Sequence, residues 1–318
     1  QPTQPRSSSG LPGAQTAIAG VALAVGTALP VDALSTGAAL SVRAALSAGT
    51  PSFPSVTSRK LSAACDGPEV DPWPGLGPAR DTVKDVEQYA TRLATAIERV
   101  RNAEQQSGRT PGSVRILLAT KTQPAGLIRQ VFALPQAHGL LRGENRVQEL
   151  VAKGPDLADL GVRTHLIGPL QSNKINAALR WVDTVESVAS LELAEALAKR
   201  LEPGRVLDVM VQVNVSGESS KSGVGADQAL GLAEQVAAVP GLRLTGLMTI
   251  GANSDDESRV RAGYAQLAQL RDQAHSAGLG PELELSMGMS NDLEWAIAEG
   301  ATVVRLGTAV FGPRSVAQ

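Results

Sequence analysis

The chain has 318 residues, 43% of them hydrophobic, 19% charged and only 3% aromatic, with a formal net charge of -2. It can bury a sizeable core and has room for one large domain or two ordinary ones, and it lacks the basic excess of a nucleic-acid binder. Cys65 is the single cysteine, which excludes an intramolecular disulfide, and with only His138, His165 and His275 beside it no zinc cluster is expected.

Residues 1–64 are rich in Ser, Ala, Gly, Thr and Pro and set one acid, Asp32, against Arg6, Arg43, Arg59 and Lys60. That composition resembles an organellar transit peptide, with a disordered extension or upstream translated sequence as the plain alternative. The apolar run at 17–29 is too short to span a bilayer, so no membrane partner is expected. Pro and Gly crowd the stretch from Cys65 to residue 80, as in a linker. The expected division is therefore 1–80, extension and linker, and 81–318, one folded domain.

From Asp81 the pattern changes. Apolar residues at Val83, Val86, Tyr89, Ala90, Leu93, Ala96, Ile97 and Val100 predict a helix from Thr82 to about Ala103, capped by Asp81 or Thr82. VRILLAT (114–120) is a short buried strand, and Pro124 opens a helix. A weak strand at AHGLL (137–141) precedes the helix NRVQELVAK. The strand RTHLIG (163–168) precedes a helix at QSNKINAALR (171–180). VDTVES, RVLDVMVQVNV (205–215), LRLTGLMTIG, LELSMG and TVVRLGTAVFG (302–312) supply the remaining strands, with helices between them. About eight Val/Leu-rich strands alternating with helices predict a single (β/α)8 TIM-type barrel, preceded by an N-terminal helix. A doubly wound sheet is the alternative, weakened because no GxGxxG follows the first strand.

Functional residues of a barrel sit where strands end. Six polar or glycine clusters fall there: Lys121, GEN (143–145), IGPLQSNK (167–174), NVSGESSKSG (214–223), SMGMSND (286–292) and RLGTAVFG. Gly307 and Thr308, after Arg305, suit a phosphate cradle, joined by Ser286 and Ser290. Asn291 and Glu294 are spaced as a helix cap and its partner, the ordinary reading of that loop. Lys121 could be a second phosphate contact, a general base or a Schiff-base former. A phosphate-bearing aldehyde makes pyridoxal phosphate the economical cofactor. Arg305 then suits its pyridine nitrogen; as a structural arginine it would pair with a loop carboxylate. Arginine cannot accept the ring proton, so the electron sink would be weak. Lys221 and Lys174 are further candidates, each more often a solvated lysine. His165 reads as a satisfied core histidine, and Trp181 and Trp295 as packing residues.

Together, ATKTQP, GENRVQE, HLIGPLQSNK, VNVSGESSKSG, GLMTIG and LSMGMSNDLEWAIAEGATVVRLGTAVFG resemble the successive motifs of the pyridoxal phosphate homeostasis protein family, over about 82–312. The resemblance implies a barrel like the N-terminal domain of alanine racemase, with pyridoxal 5'-phosphate in Schiff-base linkage to Lys121. It implies Arg305 at the pyridine nitrogen, Ser290, Gly307 and Thr308 at the phosphate, Asn145 along the ring pocket and Lys221 as a second lysine nearby. Arg142 and Arg146 depart from the family's aromatic positions, and Asn291 replaces a common Asp. A racemase of this type needs a second base. Tyr89 and Tyr264 lie on predicted helices away from the strand ends, Cys65 is in the tail, and the chain ends soon after Gly312 without a β domain to supply one. The expectation is a monomeric, cytoplasmic cofactor holder serving apo-enzymes transiently, or a plastid or mitochondrial one if residues 1–80 are a transit peptide. A racemase or lyase with one lysine base, and a phosphate-sugar barrel enzyme without the cofactor, are the alternatives.

Overall fold

A computed structural model describes residues 83–218, 221–280 and 282–313. The expected transit peptide, linker, Cys65 and the Asp81 or Thr82 cap lie outside the described residues. Among the described residues no helix is long and apolar enough to cross a membrane.

Among the described residues nine strands follow in chain order: β1 (Arg115–Ala119), β2 (Leu141–Glu144), β3 (Thr164–Leu166), β4 (Thr184–Val188), β5 (Leu207–Asn214), β6 (Val224–Gly225), β7 (Leu242–Met248), β8 (Glu284–Met289) and β9 (Val303–Leu306). All but β6 form one parallel ring. β4 pairs with β5 on one side, and β1 pairs with β9 to close it. The two-residue β6 only extends the end of β5. The fold is a TIM-type α/β barrel, as the alternation predicts.

Strand parity separates two cores, because successive side chains point to opposite faces. Leu117, Ala119, Leu141, Ile167 and Val303 pack together inside the barrel. Their neighbours Ile116, Leu118, Val304 and Leu306 join Val209, Val211 and Val213 in the layer beneath the helices. Both faces are buried, which is why these strands lack polar alternation.

The outer ring is α1 (Val83–Gln106), α2 (Ala125–Phe132), α3 (Val147–Leu157), α4 (Ile175–Leu179), α5 (Leu191–Ala198), α6 (Ala226–Ala237), α7 (Glu257–Ser276) and α8 (Leu293–Ala298), with a single turn, α9 (Thr308–Phe311), after β9. α9 is too short to cover its strand. α1 packs against α8, α9 and α2 and so takes that place. Its buried Leu93, Ala96, Val100 and Ala103 recur at helical spacing. Tyr89 meets Phe311 with ring centroids 6.4 Å apart, and Arg99 forks onto Glu294 at 2.8 and 3.0 Å.

Several local expectations need correction. The weak strand at 137–141 is a turn: Pro135–Ala137 is a 3-10 helix, Gly139 has φ 80°, and β2 begins only at Leu141. Residues 171–180 form a 3-10 turn, Ser172–Lys174, followed by the five-residue α4. Asp292, not Asn291, occupies the cap of α8, and Glu294 is drawn to Arg99. His165 is only half satisfied: Nδ1 bonds Glu186 at 2.6 Å while the buried Nε2 has no partner among the described residues. Trp181 does pack, its ring lying where a Cβ on Gly154 would stand, at 2.3 Å.

Candidate functional site

β1 and β9 run side by side, pairing Leu117 with Arg305 and Leu118 with Leu306. Both strands therefore deliver the polar residues that follow them to one edge of the barrel mouth. Arg305 shares the interior parity of Val303 and is buried. Its Nη1 donates to Ser286 Oγ at 2.9 Å and its Nη2 to the Thr249 carbonyl at 2.6 Å. Ser286 Oγ in turn donates to Glu186 Oε2 at 2.6 Å, and Glu186 Oε1 meets His165 Nδ1. Burial alone would raise the Glu186 carboxyl, but His165, Arg305 and Ser286 outweigh it and hold it below the usual range. A chain of four side chains thus crosses the barrel interior and fixes the guanidinium from behind. No carboxylate pairs with Arg305 within the described residues; its partners are a hydroxyl and a carbonyl. Ser286 belongs to this support, one interior layer below the loop, and not to the phosphate cradle expected of it.

Gly307 follows directly, beside Ala119. A Cβ there would lie 3.5 Å from the Ala119 carbonyl oxygen, an ordinary contact, and its φ is -121°. The protein's own packing therefore does not demand glycine at 307. Ser290 Oγ accepts from the Ala309 N–H at 3.2 Å, tying the loop after β8 to the turn after β9. Arg99 holds the Ser290 carbonyl from the other side at 3.2 Å. Ser290, Gly307 and exposed Thr308 accordingly gather at one edge of the mouth.

Lys121 comes two residues after Ala119 and is partly buried. The residues around it are held from outside the barrel. Thr120 Oγ1 donates to Glu144 Oε1 at 2.7 Å, and Lys153 Nζ donates to the Thr120 carbonyl at 2.9 Å. Glu149 Oε2 accepts the Thr122 N–H at 2.6 Å. Lys153 also bridges Glu144 and Glu149, at 3.1 and 2.9 Å. The sequence reading passed over Glu149 and Lys153, although a Glu four residues before a Lys on a predicted helix is a visible pair.

Asn145 follows β2 at interior parity. Together with Arg146, Glu149, Pro169 and Lys174 it lines a cavity of about 400 Å³ between the loops after β2 and β3 and the start of α3, which Lys121, Arg305, Ser290, Gly307 and Thr308 do not line. Gly168 is pressed against it: a Cβ there would stand 2.0 Å from the Asn145 carbonyl oxygen. Arg142 does not belong to this wall. It faces outward with Glu144, is buried, and donates to Thr164 Oγ1 at 2.8 Å. The structure thus separates the two arginine departures and leaves only Arg146 at the mouth. Lys221 is at the same end, its Nζ donating to the Gly251 carbonyl at 2.6 Å and lying 3.5 Å from Glu218.

Tyr264 is nearer the strand ends than its helix suggested. α7 carries it inward, fully buried, and its hydroxyl donates to Asp292 Oδ2 at 2.7 Å in the loop after β8. Burial and the Asp292 carboxylate push its pKa well above the ordinary phenol value, so its proton stays on. Among the described residues no group of His, Cys, Asp and Glu could hold a metal ion.

Residues 94–315 match the family described as alanine racemase, N-terminal domain. The pyridoxal phosphate homeostasis protein of Pseudomonas aeruginosa is 44% identical over 227 residues, which are 71% of this chain and 95% of that one. Its counterpart from Aquifex aeolicus is 38% identical, over 70% of this chain and 97% of that one. The chain belongs to the pyridoxal phosphate homeostasis protein family. A solved structure described as PipY of Synechococcus elongatus with pyridoxal phosphate bound is 34% identical, with a TM-score of 0.60 over 71% of this chain and all of that one. Alanine racemase from Corynebacterium glutamicum, at 19% identity and a TM-score of 0.55, covers 73% of this chain and 63% of that enzyme and shares the barrel fold. Within this family, the present chain brings Lys121, Arg305, Ser290, Gly307, Thr308, Asn145 and Lys221 to one end of the barrel.

Proposed function

We propose that this protein binds pyridoxal 5'-phosphate at the barrel mouth, joined to Lys121 as an imine, and acts in vitamin B6 and amino-acid homeostasis as a holder of the cofactor. The observation that carries the reading is Arg305. It is buried, pinned by Ser286 and Thr249, unpaired with any carboxylate among the described residues, and lies on the strand beside β1, which ends two residues before Lys121. A guanidinium has N–H groups and no acceptor, so it suits an unprotonated pyridine nitrogen. The open side of Gly307, with Ser290 and Thr308, suits a phosphate. Asn145 then borders the ring, and Lys221 stands as a second cation nearby.

In its neutral amine form, Lys121 Nζ adds to the aldehyde carbon, a C=N bond forms and water leaves. With the ring nitrogen unprotonated, the cofactor's capacity to withdraw electrons is weakened. The tyrosine nearest the mouth, Tyr264, is locked onto Asp292 and so is not placed to act as a second base. The relative described with pyridoxal phosphate bound supports binding of this cofactor. On this reading the protein works as a soluble monomer that passes the cofactor transiently to apo-enzymes.

An absorbance spectrum tests the assignment. Wild-type protein given pyridoxal phosphate should develop a visible imine band that Lys121→Ala lacks. A wild-type protein that stays colourless would sink the reading in favour of a phosphate-sugar enzyme. Amino-acid racemisation or lyase turnover abolished by Lys121→Ala would replace the holder with a catalyst.

A further inference from the structure

Lys121 is gripped from both sides. The peptide before it, 120–121, is held by its carbonyl, which accepts from Lys153 Nζ at 2.9 Å. The peptide after it, 121–122, is held by its N–H, which donates to Glu149 Oε2 at 2.6 Å. Those two peptide planes set φ and ψ of Lys121, and hence the direction of its Cα–Cβ bond. The two gripping groups are themselves joined, Lys153 to Glu149 at 2.9 Å, one turn apart on α3. Glu144 completes the cluster, bonding Thr120 Oγ1 and Lys153. Its side chain and that of Glu149 are 0% and 9% exposed, and that of Lys153 is 12% exposed.

A second observation singles out the same place. Thr122 has φ 65° and is the one non-glycine residue at positive φ among the described residues. A β-branched residue in that region is strained and persists only where its surroundings over-determine it. The Glu149 carboxylate on its N–H is such a constraint. Burying two acids around one ammonium is also a costly way to stabilise a strand–helix contact, which apolar packing would do as well.

We infer that Glu149 and Lys153 are positioning residues that aim Lys121 into the barrel mouth. The inference rests on the proposed attachment of pyridoxal phosphate to Lys121. A lysine amine is ~6 Å from its Cα, so a swing of ~10° at the backbone moves it by about 1 Å. The phosphate and ring nitrogen hold the other end of the cofactor, so that displacement falls on the carbon–nitrogen bond being made. Lys153 is not an alternative nucleophile, since its ammonium is spent on Thr120, Glu144 and Glu149.

The test compares pyridoxal 5'-phosphate with pyridoxamine 5'-phosphate, which has no aldehyde and cannot condense with lysine. Glu149→Gln and Lys153→Met are measured by imine absorbance and by direct binding, well below their unfolding temperatures. Both should bind the pyridoxamine form as wild type does, yet form the imine roughly tenfold or more slowly. Lys153→Arg, which keeps the cation, should recover part of the rate. Equal weakening of both ligands, or wild-type imine formation in both variants, would overturn the inference. If Glu149→Gln fails to fold, Lys153→Met and Lys153→Arg make the same comparison. Lys121→Ala separates the two failures. A wild-type imine band that survives in Lys121→Ala sinks the attachment reading itself. A band lost in Lys121→Ala but formed at full rate in both cluster variants sinks only the positioning role.

Discussion

Ser286 shows what a single hydroxyl does in this barrel. It accepts from Arg305 and donates to Glu186, so it links the guanidinium to the buried carboxylate. Ser286→Ala leaves a donor and an acceptor without partners in a site closed to water, and should cost about 1–3 kcal/mol of folding stability. The same change frees Arg305 to shift, so pyridoxal phosphate should also dissociate faster; denaturant unfolding and dissociation kinetics read the two effects separately. Ser290, by contrast, joins two loops through its hydroxyl, which accepts from the Ala309 N–H, while its carbonyl accepts from Arg99. Its replacement by Ala should weaken phosphate-dependent binding while leaving the spectrum of bound cofactor in place. A shifted band in that variant would contradict a role confined to the phosphate.

Elements position these residues, and α1 is the most exposed to test. It covers the barrel where the last helix is a single turn, through Leu93 and Val100, both fully buried. Leu93→Ala should destabilise the fold by roughly 2–5 kcal/mol, measured by urea unfolding, because a cavity beside α8 and α9 cannot collapse completely. The loop after β3 offers a subtler case. A methyl on Gly168 would meet the Asn145 carbonyl oxygen at 2.0 Å, and backbone cannot give way cheaply there. Gly168→Ala should therefore displace Asn145 and lower cofactor affinity more than a surface Gly→Ala would. An unchanged dissociation constant would remove Asn145 from the pocket.

For the whole molecule, the two ends of the barrel answer pH differently. At the foot, Asp208 accepts from Arg163 at 2.5 Å and from Arg243 at 2.7 and 2.9 Å. Burial raises its pKa, but the two arginines outweigh burial and hold it below the ordinary value. A depressed carboxyl contributes stability that is fully present above its unfolded pKa, and that stability is lost as pH falls through the folded value. Loss should begin below about pH 4. Asp208→Asn should be less stable than wild type at neutral pH, and the gap should narrow in acid. Half-exposed arginines make the effect modest. At the mouth, burial raises the Glu144 carboxyl, which Lys153 and Thr120 only partly offset. That shift has the opposite sign, so the ionised form is the strained one there.

The sequence alone determined the barrel, and it set Lys121, Arg305 and Gly307 at or just beyond strand ends. Strand burial on two faces leaves unbroken Val and Leu runs, and strand ends place Lys121, Arg305 and Gly307 within short reach of those runs. These are local properties, recorded within a few residues of one another. Only the tertiary structure decided what holds the site in place. Glu186 meets Ser286 across 100 positions of chain, and Lys153 meets Thr120 across 33. It also turned Tyr264 onto Asp292, and it buried Arg142 against Thr164 on the outer face of β2 while Arg146 falls beyond the end of that strand. Periodicity tells which face of an element is buried. It does not tell which distant polar group waits on that face, because closure of the ring makes that pairing.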